Sequence, residues 1–312
     1  MINLKSKSIL VTGGNGFLGT FLVRYLKKLG CKDIFIPRSK DYDLVQMNAV
    51  KKVYNDARPN IVIHLAAKVG GIGANRDNPG KFFYDNLLMG AQLMEIGRQK
   101  GIEKFVTIGT ICSYPKFVPV PFKEENIWNG YPDEINAPYG LAKKMLLVQS
   151  QSYRQQYGFN SINLILVNLY GPGDNFDPWT SHVIPALIKK CIDAQNNGTQ
   201  KITVWGRGNS TREFIYIQDA VRGIVLATQK YNKSDPINLG TGLEVSIKEL
   251  VNLIVKLTGF RGAVIWDSSK PEGQPRRCVD TEKALKEFGF KAKIKFENGL
   301  KEVIKWYREN AN

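Results

Sequence analysis

Glycines at 13, 16 and 19, in the run Thr12-Gly13-Gly14-Asn15-Gly16-Phe17-Leu18-Gly19, lie between a β-branched run that ends at Thr12 and an apolar-periodic stretch that begins at Phe17. Three glycines at this spacing meet three separate demands. Gly13 permits a tight turn, Gly16 lets backbone N–H groups approach a pyrophosphate, and Gly19 lets the following helix pack closely on the sheet; the helix N-terminus then faces the phosphates. In a chain with 29 glycines the spacing alone is open to accident and to a plain strand-to-helix turn. A strand before it and a helix after it, at the start of the fold, favour a dinucleotide-binding turn.

The rest of the first half repeats that alternation. Strands are expected at 7–12, 33–37, 60–65, 104–109 and 161–168, and helices at 17–29, 45–57 and 81–100. A further helix begins near Pro138 with Asn136 as its cap and stops at Gly158. After Gly171 the texture changes to a Gly-Pro-Gly turn, short strands at 201–205 and 213–217, and helical stretches at 246–258, 281–288 and 297–309. The expected fold is α/β, a Rossmann-type doubly wound parallel sheet over 1–170 with a smaller α/β substrate-binding lobe over 171–312, the two partly interleaved.

The 44 Lys+Arg exceed the 28 Asp+Glu and leave a formal charge of +16, so the chain suits anionic partners. The cations are dispersed, with no run of five or six, and no aromatic-basic motif points to nucleic acid. No apolar run approaches the roughly 18 residues of a membrane helix, and residues 1–12 lack the apolar segment of a secretory signal. Cys31, Cys112, Cys191 and Cys278 form no C-x-x-C pair and have only His64 and His182 for company. Neither a metal site nor a disulfide framework is expected, and a cytoplasmic, reducing setting is.

An acidic residue at the end of the second strand would bind a ribose 2′-hydroxyl and repel a 2′-phosphate. This chain has Pro37-Arg38-Ser39-Lys40 there, with Asp41 only beyond them. Two cations and a hydroxyl favour a 2′-phosphate clamp and NADP(H), with a solvated loop and NAD as the alternative. Tyr139 and Lys143 stand four apart on one helix face. An ammonium beside a phenol is expected to draw the phenol down from about 10 toward a range useful for proton transfer. One such pair arises by chance in a chain of this composition, but this pair follows Gly109-Thr110, which places a hydroxyl beside it.

These residues resemble the extended short-chain dehydrogenase/reductases that act on nucleotide sugars: Gly13/Gly16/Gly19, His64-Leu65-Ala66-Ala67, Thr110, Tyr139 and Lys143 match in order and spacing. Within that group the match narrows to the GDP-L-fucose synthase family, through Lys68-Val69-Gly70-Gly71-Ile72, Cys112-Ser113-Tyr114-Pro115, Asn168-Leu169-Tyr170-Gly171-Pro172, Ser181-His182-Val183-Ile184-Pro185, Val204-Trp205-Gly206, Arg212-Glu213-Phe214 and Lys270-Pro271-Glu272-Gly273. The resemblance implies a GDP-linked 4-keto-6-deoxy sugar as substrate. It would be epimerised at C3 and C5 by Cys112 and His182, then reduced at C4 with Thr110 and Tyr139 on O4 and Lys143 on the nicotinamide ribose. It implies cofactor contacts from Gly13, Asn15, Gly16, Phe17, Leu18, Gly19, Arg38, Ser39, Lys40, Ala66, Ala67, Ile108, Gly109, Asn168, Leu169 and His182 as well. Lys190, Trp205, Arg212 and Glu272 fall on the nucleotide-sugar side, with Arg276 or Arg277 as a further phosphate contact; Arg212 is the best fit because its planar fork matches phosphate oxygens. Family members are commonly homodimers.

Taken singly, Cys112 reads as a small buried hydrophobe, His182 and His64 as structural histidines, and Trp205 equally as a stacking or a core residue. Gly14-Asn15 where the family has His-Arg, Thr110 where it has Ser, and Lys189-Lys190 where it has an Arg pair leave the exact sugar open. The rival activities are a 4-epimerase that retains NAD without net redox, and an epimerase or reductase alone. The rival of another class is a non-catalytic dinucleotide-sensing module.

Overall fold

A computed structural model describes residues 1–270 and 273–310. The first half runs β1 (Ile9–Thr12), α1 (Phe17–Lys28), β2 (Ile34–Phe35), α2 (Met47–Ala57), β3 (Ile61–His64), α3 (Ile72–Asp77), α4 (Pro79–Gln99), β4 (Lys104–Thr110), α5 (Ala137–Tyr157) and β5 (Ser161–Leu166). The second half runs β6 (Asn168–Tyr170), α6 (Val183–Asn196), β7 (Lys201–Trp205), β8 (Thr211–Tyr216), α7 (Ile217–Lys230), β9 (Ile237–Leu239), β10 (Glu244–Ser246), α8 (Ile247–Thr258), β11 (Ala263–Asp267), α9 (Glu282–Phe288) and α10 (Phe296–Asn310). Six parallel strands form the main sheet in the order β2-β1-β3-β4-β5-β9, beside a three-stranded sheet β10-β8-β6 and a pair β11-β7.

β1, β3 and β5 are buried along their whole length, as parallel strands covered on both faces must be. Alternation sorts their side chains: Ile9, Val11, Ile61 and Ile63 join Leu22 and Leu26 of α1 and Val221 and Ile224 of α7, whereas Leu10 and Val62 meet Val50 and Val53 of α2 and Leu93 of α4. A second core, from Ile184, Leu187 and Ile188 of α6 through Ile254 of α8 to Leu300 and Ile304 of α10, lies beside the small sheets. Among the described residues no helix is long and apolar enough to cross a membrane.

The structure departs from the sequence reading in several places, among them the unexpected α3, β9, β10 and β11. The strand expected over 161–168 is two strands in different sheets: β5 ends at Leu166, and after Val167 the chain enters β6 beside β8. An unbroken apolar run carries no sign of a change of partner. α6 and α7 were not expected. In α6, Pro185 looks like a breaker, yet it lies in the first turn, where the N–H has no helical acceptor to lose. Asn136 does occupy the cap position of α5, but its side chain donates to Asp133 Oδ1 at 2.9 Å and does not cap.

One carboxylate joins the sheets. Glu213, on β8 and fully buried, accepts from the backbone N–H groups of Thr241, Gly242 (2.8 Å) and Val279 (2.7 Å) and from the Thr241 hydroxyl (3.2 Å), just after β9 leaves the main sheet. Burial raises its pKa, and the amide donors pull against that. Glu213→Gln keeps the shape but turns an NH2 group toward an N–H donor. The expected cost is about 2–3 kcal/mol of stability, an unsatisfied buried polar group being worth that much, read as a lower denaturant midpoint with an unchanged slope.

Candidate active site

The glycine turn opens at the carboxyl end of β1. Gly13 has φ +69°, a left-handed conformation that favours glycine, and a Cβ there would stand 2.7 Å from the Ala66 nitrogen. A Cβ at Gly19 would stand 2.1 Å from the Gly13 carbonyl oxygen, so α1 can start this close to the turn only with glycine at both places. Gly16 donates to the Gly13 carbonyl at 3.0 Å and caps α1 without a side-chain bond, and the first turn holds no acidic residue. The uncapped amides and the positive helix end therefore fit a pyrophosphate. Asn15 is exposed beside them, while Phe17 and Leu18 turn inward onto the second core.

Ile36 lies against Gly14, which brings the end of β2 alongside this turn. Pro37 is buried, and Arg38, Ser39 and Lys40 follow it as exposed residues of a turn closed by Asp41 N–H on the Arg38 carbonyl at 3.0 Å. Ala66 N–H donates to Thr12 Oγ1 (3.3 Å), which also bonds His64 Nδ1 (2.8 Å). His64 is fully buried, and that burial, with Lys143 adding to it, holds its pKa well below the usual histidine value. Ala67 follows in the same loop, and Ile108 and Gly109 end β4 over the same edge of the sheet.

Thr110 closes β4 and caps a short 3-10 turn, accepting from Cys112 N–H at 3.2 Å. Gly140 makes room for that turn: a Cβ at 140 would stand 2.3 Å from the Cys112 carbonyl oxygen, and Ser113 Oγ donates to the Gly140 carbonyl at 2.9 Å. The start of α5 is thereby clamped to the Cys112 turn, and Tyr139 faces both Thr110 and Cys112. Burial pushes the Tyr139 phenol up, charge on Cys112 acts in the same direction, and the Thr110 side chain acts against them. The expected lowering by Lys143 does not appear. Lys143, one turn along and buried, is itself pulled down to about 8, because burial disfavours its charge too.

His182 caps α6 through its backbone. Its ring is open to solvent on one side, yet the surrounding protein desolvates it enough to lower its pKa. Its loop is held from below: Gly71 N–H donates to the Thr180 carbonyl at 3.1 Å, and a Cβ at Gly71 would stand 2.7 Å from the Ser181 carbonyl oxygen. Asn168 donates to the Glu213 carbonyl at 2.8 Å, and the partly buried Leu169 bridges the two large cores.

The substrate-side residues divide. Arg212 donates to the carbonyls of Thr211 (2.7 Å) and Gln274 (2.6 Å). Lys190 donates to the Thr203 carbonyl at 2.8 Å and is lowered by burial. Trp205 is 49% exposed with Lys270 over its ring at 5.9 Å, so it is not a core residue. Arg276 is ion-paired to Glu244 on the surface. Arg277 is buried, with Nη1 on Cys112 Sγ at 3.4 Å, where the sequence suggested only a phosphate contact. Glu272 lies outside the described residues. Sequence reasoning missed Gln274, whose side chain donates to the Lys116 carbonyl at 2.8 Å and accepts from Arg277 Nε at 2.9 Å, and it missed Gly140. Only the position of Gly140 directly after Tyr139 offered a signal.

Residues 9–240 match the family model described as the NAD dependent epimerase/dehydratase family. A protein of Oryza sativa subsp. japonica named probable GDP-L-fucose synthase 1 is 36% identical over 307 residues, covering 98% of this chain and 93% of that one. Among solved structures, a GDP-L-fucose synthetase from Naegleria fowleri bound to NADP superposes with a TM-score of 0.89 at 31% identity, covering 100% of this chain and 97% of that one. A GDP-6-OMe-4-keto-L-xylo-heptose reductase from C. jejuni gives 0.91 at 28%, covering 99% of both chains. With the glycine turn under α1, the Tyr139/Lys143 turn of α5 and a family model spanning both, this chain belongs to the NAD dependent epimerase/dehydratase family.

Proposed function

We propose that this protein is an NADP(H)-dependent epimerase/reductase that converts a GDP-4-keto-6-deoxy sugar, with GDP-4-keto-6-deoxy-D-mannose going to GDP-L-fucose as the leading case. The observation that carries the proposal is the single cluster formed by Thr110, Cys112 and Tyr139. A reductase alone needs only the phenol and its hydroxyl neighbour, and a thiol in the same cluster adds a base for carbon acids. The relatives named for GDP-sugar chemistry support the sugar class.

The 4-ketone acidifies the protons at C3 and C5. Cys112, as thiolate, removes a proton from one face, and His182, as imidazolium, returns one to the other. A lowered histidine pKa makes that imidazolium a stronger donor, though a scarcer one at neutral pH. Thr110 and Tyr139 stabilise charge developing on O4. NADP(H), when bound, supplies the hydride for C4. Tyr139 is held protonated by burial, the form needed to give O4 its proton, and Lys143 holds the nicotinamide ribose. Arg38, Ser39 and Lys40 meet the 2′-phosphate; Arg212, Lys190 and Trp205 meet the GDP moiety.

The same reading divides the chain into a cofactor-binding part over 1–170 and a sugar-nucleotide part over 171–312, with α7 and β9 returning to the main sheet. It makes the protein a cytoplasmic homodimer joined through α4 and α5, which pack together and expose Tyr84, Met145 and Val148. In the test, protein, NADPH and GDP-4-keto-6-deoxy-mannose are mixed and absorbance at the reduced-nicotinamide band is followed. NADPH should be consumed, and faster than NADH at equal concentration. No consumption by a folded, NADPH-binding protein overturns this substrate.

A further inference from the structure

Arg277 is 6% exposed, and among the described residues it forms no ion pair, although its neighbour Arg276 is paired with Glu244. A buried guanidinium needs a counter-charge, since an unpaired charge in the interior is costly. Among the described residues, the contacts of Arg277 name one group that can supply it. Nε is taken by the neutral side-chain oxygen of Gln274 at 2.9 Å, and Nη1 points at Cys112 Sγ at 3.4 Å. Gln274, 3% exposed, is fixed in turn by its amide group on the carbonyls of Lys116 (2.8 Å) and Pro115 (3.3 Å), on the same strand of chain that leaves the Cys112 turn. The guanidinium is therefore held against the sulfur by a buried scaffold in which, among the described residues, no acid competes.

We propose that Arg277 is a positioning residue that holds Cys112 as the thiolate, the form that takes the proton from the sugar carbon. This rests on the epimerase/reductase reading, which makes Cys112 a base. It assigns Arg277 to the proton-transfer end of the site. Among the described residues, the other titratable group shown to interact with Cys112 is Tyr139 of α5, which burial keeps protonated and so uncharged, and Thr110 contributes only a hydroxyl. When the thiolate accepts the carbon proton its negative charge passes to the enediolate oxygen O4, beside Thr110 and Tyr139. The ion pair with Arg277 is then re-formed when Cys112 releases that proton.

Alkylation by iodoacetamide tests this without any sugar. Cys31, Cys191 and Cys278 are at most 3% exposed, so the partly exposed Cys112 should react first, with the site read by peptide mass spectrometry. Only the thiolate reacts. At pH 7, Arg277→Gln should slow Cys112 alkylation about tenfold relative to the natural chain, the usual scale on which a neighbouring cation changes thiolate content. At the high-pH plateau the two rates should agree, and Arg277→Lys should recover most of the loss. Equal rates at pH 7, or an equal loss at every pH, overturn the proposal. Circular dichroism and NADPH binding establish that the variants are folded. If Arg277→Gln does not fold, Gln274→Ala, which frees the guanidinium without removing it, should slow the pH 7 reaction threefold or more with the same plateau, and an unchanged rate overturns the proposal. Absence of turnover on GDP-4-keto-6-deoxy-mannose would leave the alkylation result standing, so failure of the substrate assignment and failure of this role are separable.

Discussion

Tyr139→Phe is expected to slow hydride delivery to C4 by about 10²–10⁴-fold, the range contributed by a positioned general acid. The variant should still bind NADPH, because the phenol is not part of the glycine turn or of the Arg38–Lys40 segment. It should still exchange protons at C3 and C5, which the proposal assigns to Cys112 and His182. The proposed mechanism makes the phenol the acid, and burial, which raises its pKa, keeps the proton on the oxygen. Lys143 at about 8 is still largely a cation at neutral pH, the form in which the proposal has it hold the nicotinamide ribose. The sign of the pH dependence follows. As pH rises through about 8 the free protein loses the Lys143 charge, so kcat/KM for reduction should fall on the alkaline side. Single-turnover oxidation of NADPH, compared between the natural chain and Tyr139→Phe across pH, measures both. A variant that reduces the ketone at the natural rate removes Tyr139 from the chemistry.

Cys112→Ala is expected to produce the complementary defect. Incorporation of solvent deuterium at C3 and C5 should drop by about 10²–10⁴-fold, while NADPH oxidation continues on the unepimerised ketone and gives a product that keeps the substrate's C3 and C5 configuration. Alanine leaves the 3-10 turn in place, since it is held by the backbone N–H of residue 112 on Thr110 and by Ser113 on Gly140, but it removes the sulfur that Arg277 Nη1 contacts, so circular dichroism and NADPH binding accompany the assay to establish that the variant is folded. Magnetic resonance of the product after reaction in heavy water separates the outcomes. Undiminished exchange would remove Cys112 from the carbon-acid step, whereas turnover left intact by the substitution, with no exchange at C3 or C5 in the natural chain either, would favour the 4-epimerase that retains NAD.

Much of the active end of the molecule was legible in the chain because its requirements are local. A left-handed turn at Gly13 and a backbone contact at Gly19 exclude side chains, so glycine must be written there. Tyr139 and Lys143 share a face because four residues make about one helical turn. The alternating pattern announced five of the six strands of the main sheet, since buried parallel strands are short apolar runs with helices between them. The same locality explains the misses. Leu166 and Asn168 belong to different sheets although the run through them is uninterrupted, and Pro185 breaks nothing because of where its helix begins.

By itself, then, the sequence determined the glycine turn between β1 and α1, the strand-helix alternation and the types of side chain available at the candidate site, all of which depend on residues within a few positions of each other. Only the tertiary structure decided their chemical states and the charge around them. It placed Tyr139 where burial outweighs the hydrogen bond from Thr110, brought Glu213 onto Val279 across 66 residues, and set Arg277 on Cys112 across 165. The physical reason is that a pKa and a buried ion's partner are set by everything within a few ångströms in space, and folding, not spacing along the chain, chooses those neighbours.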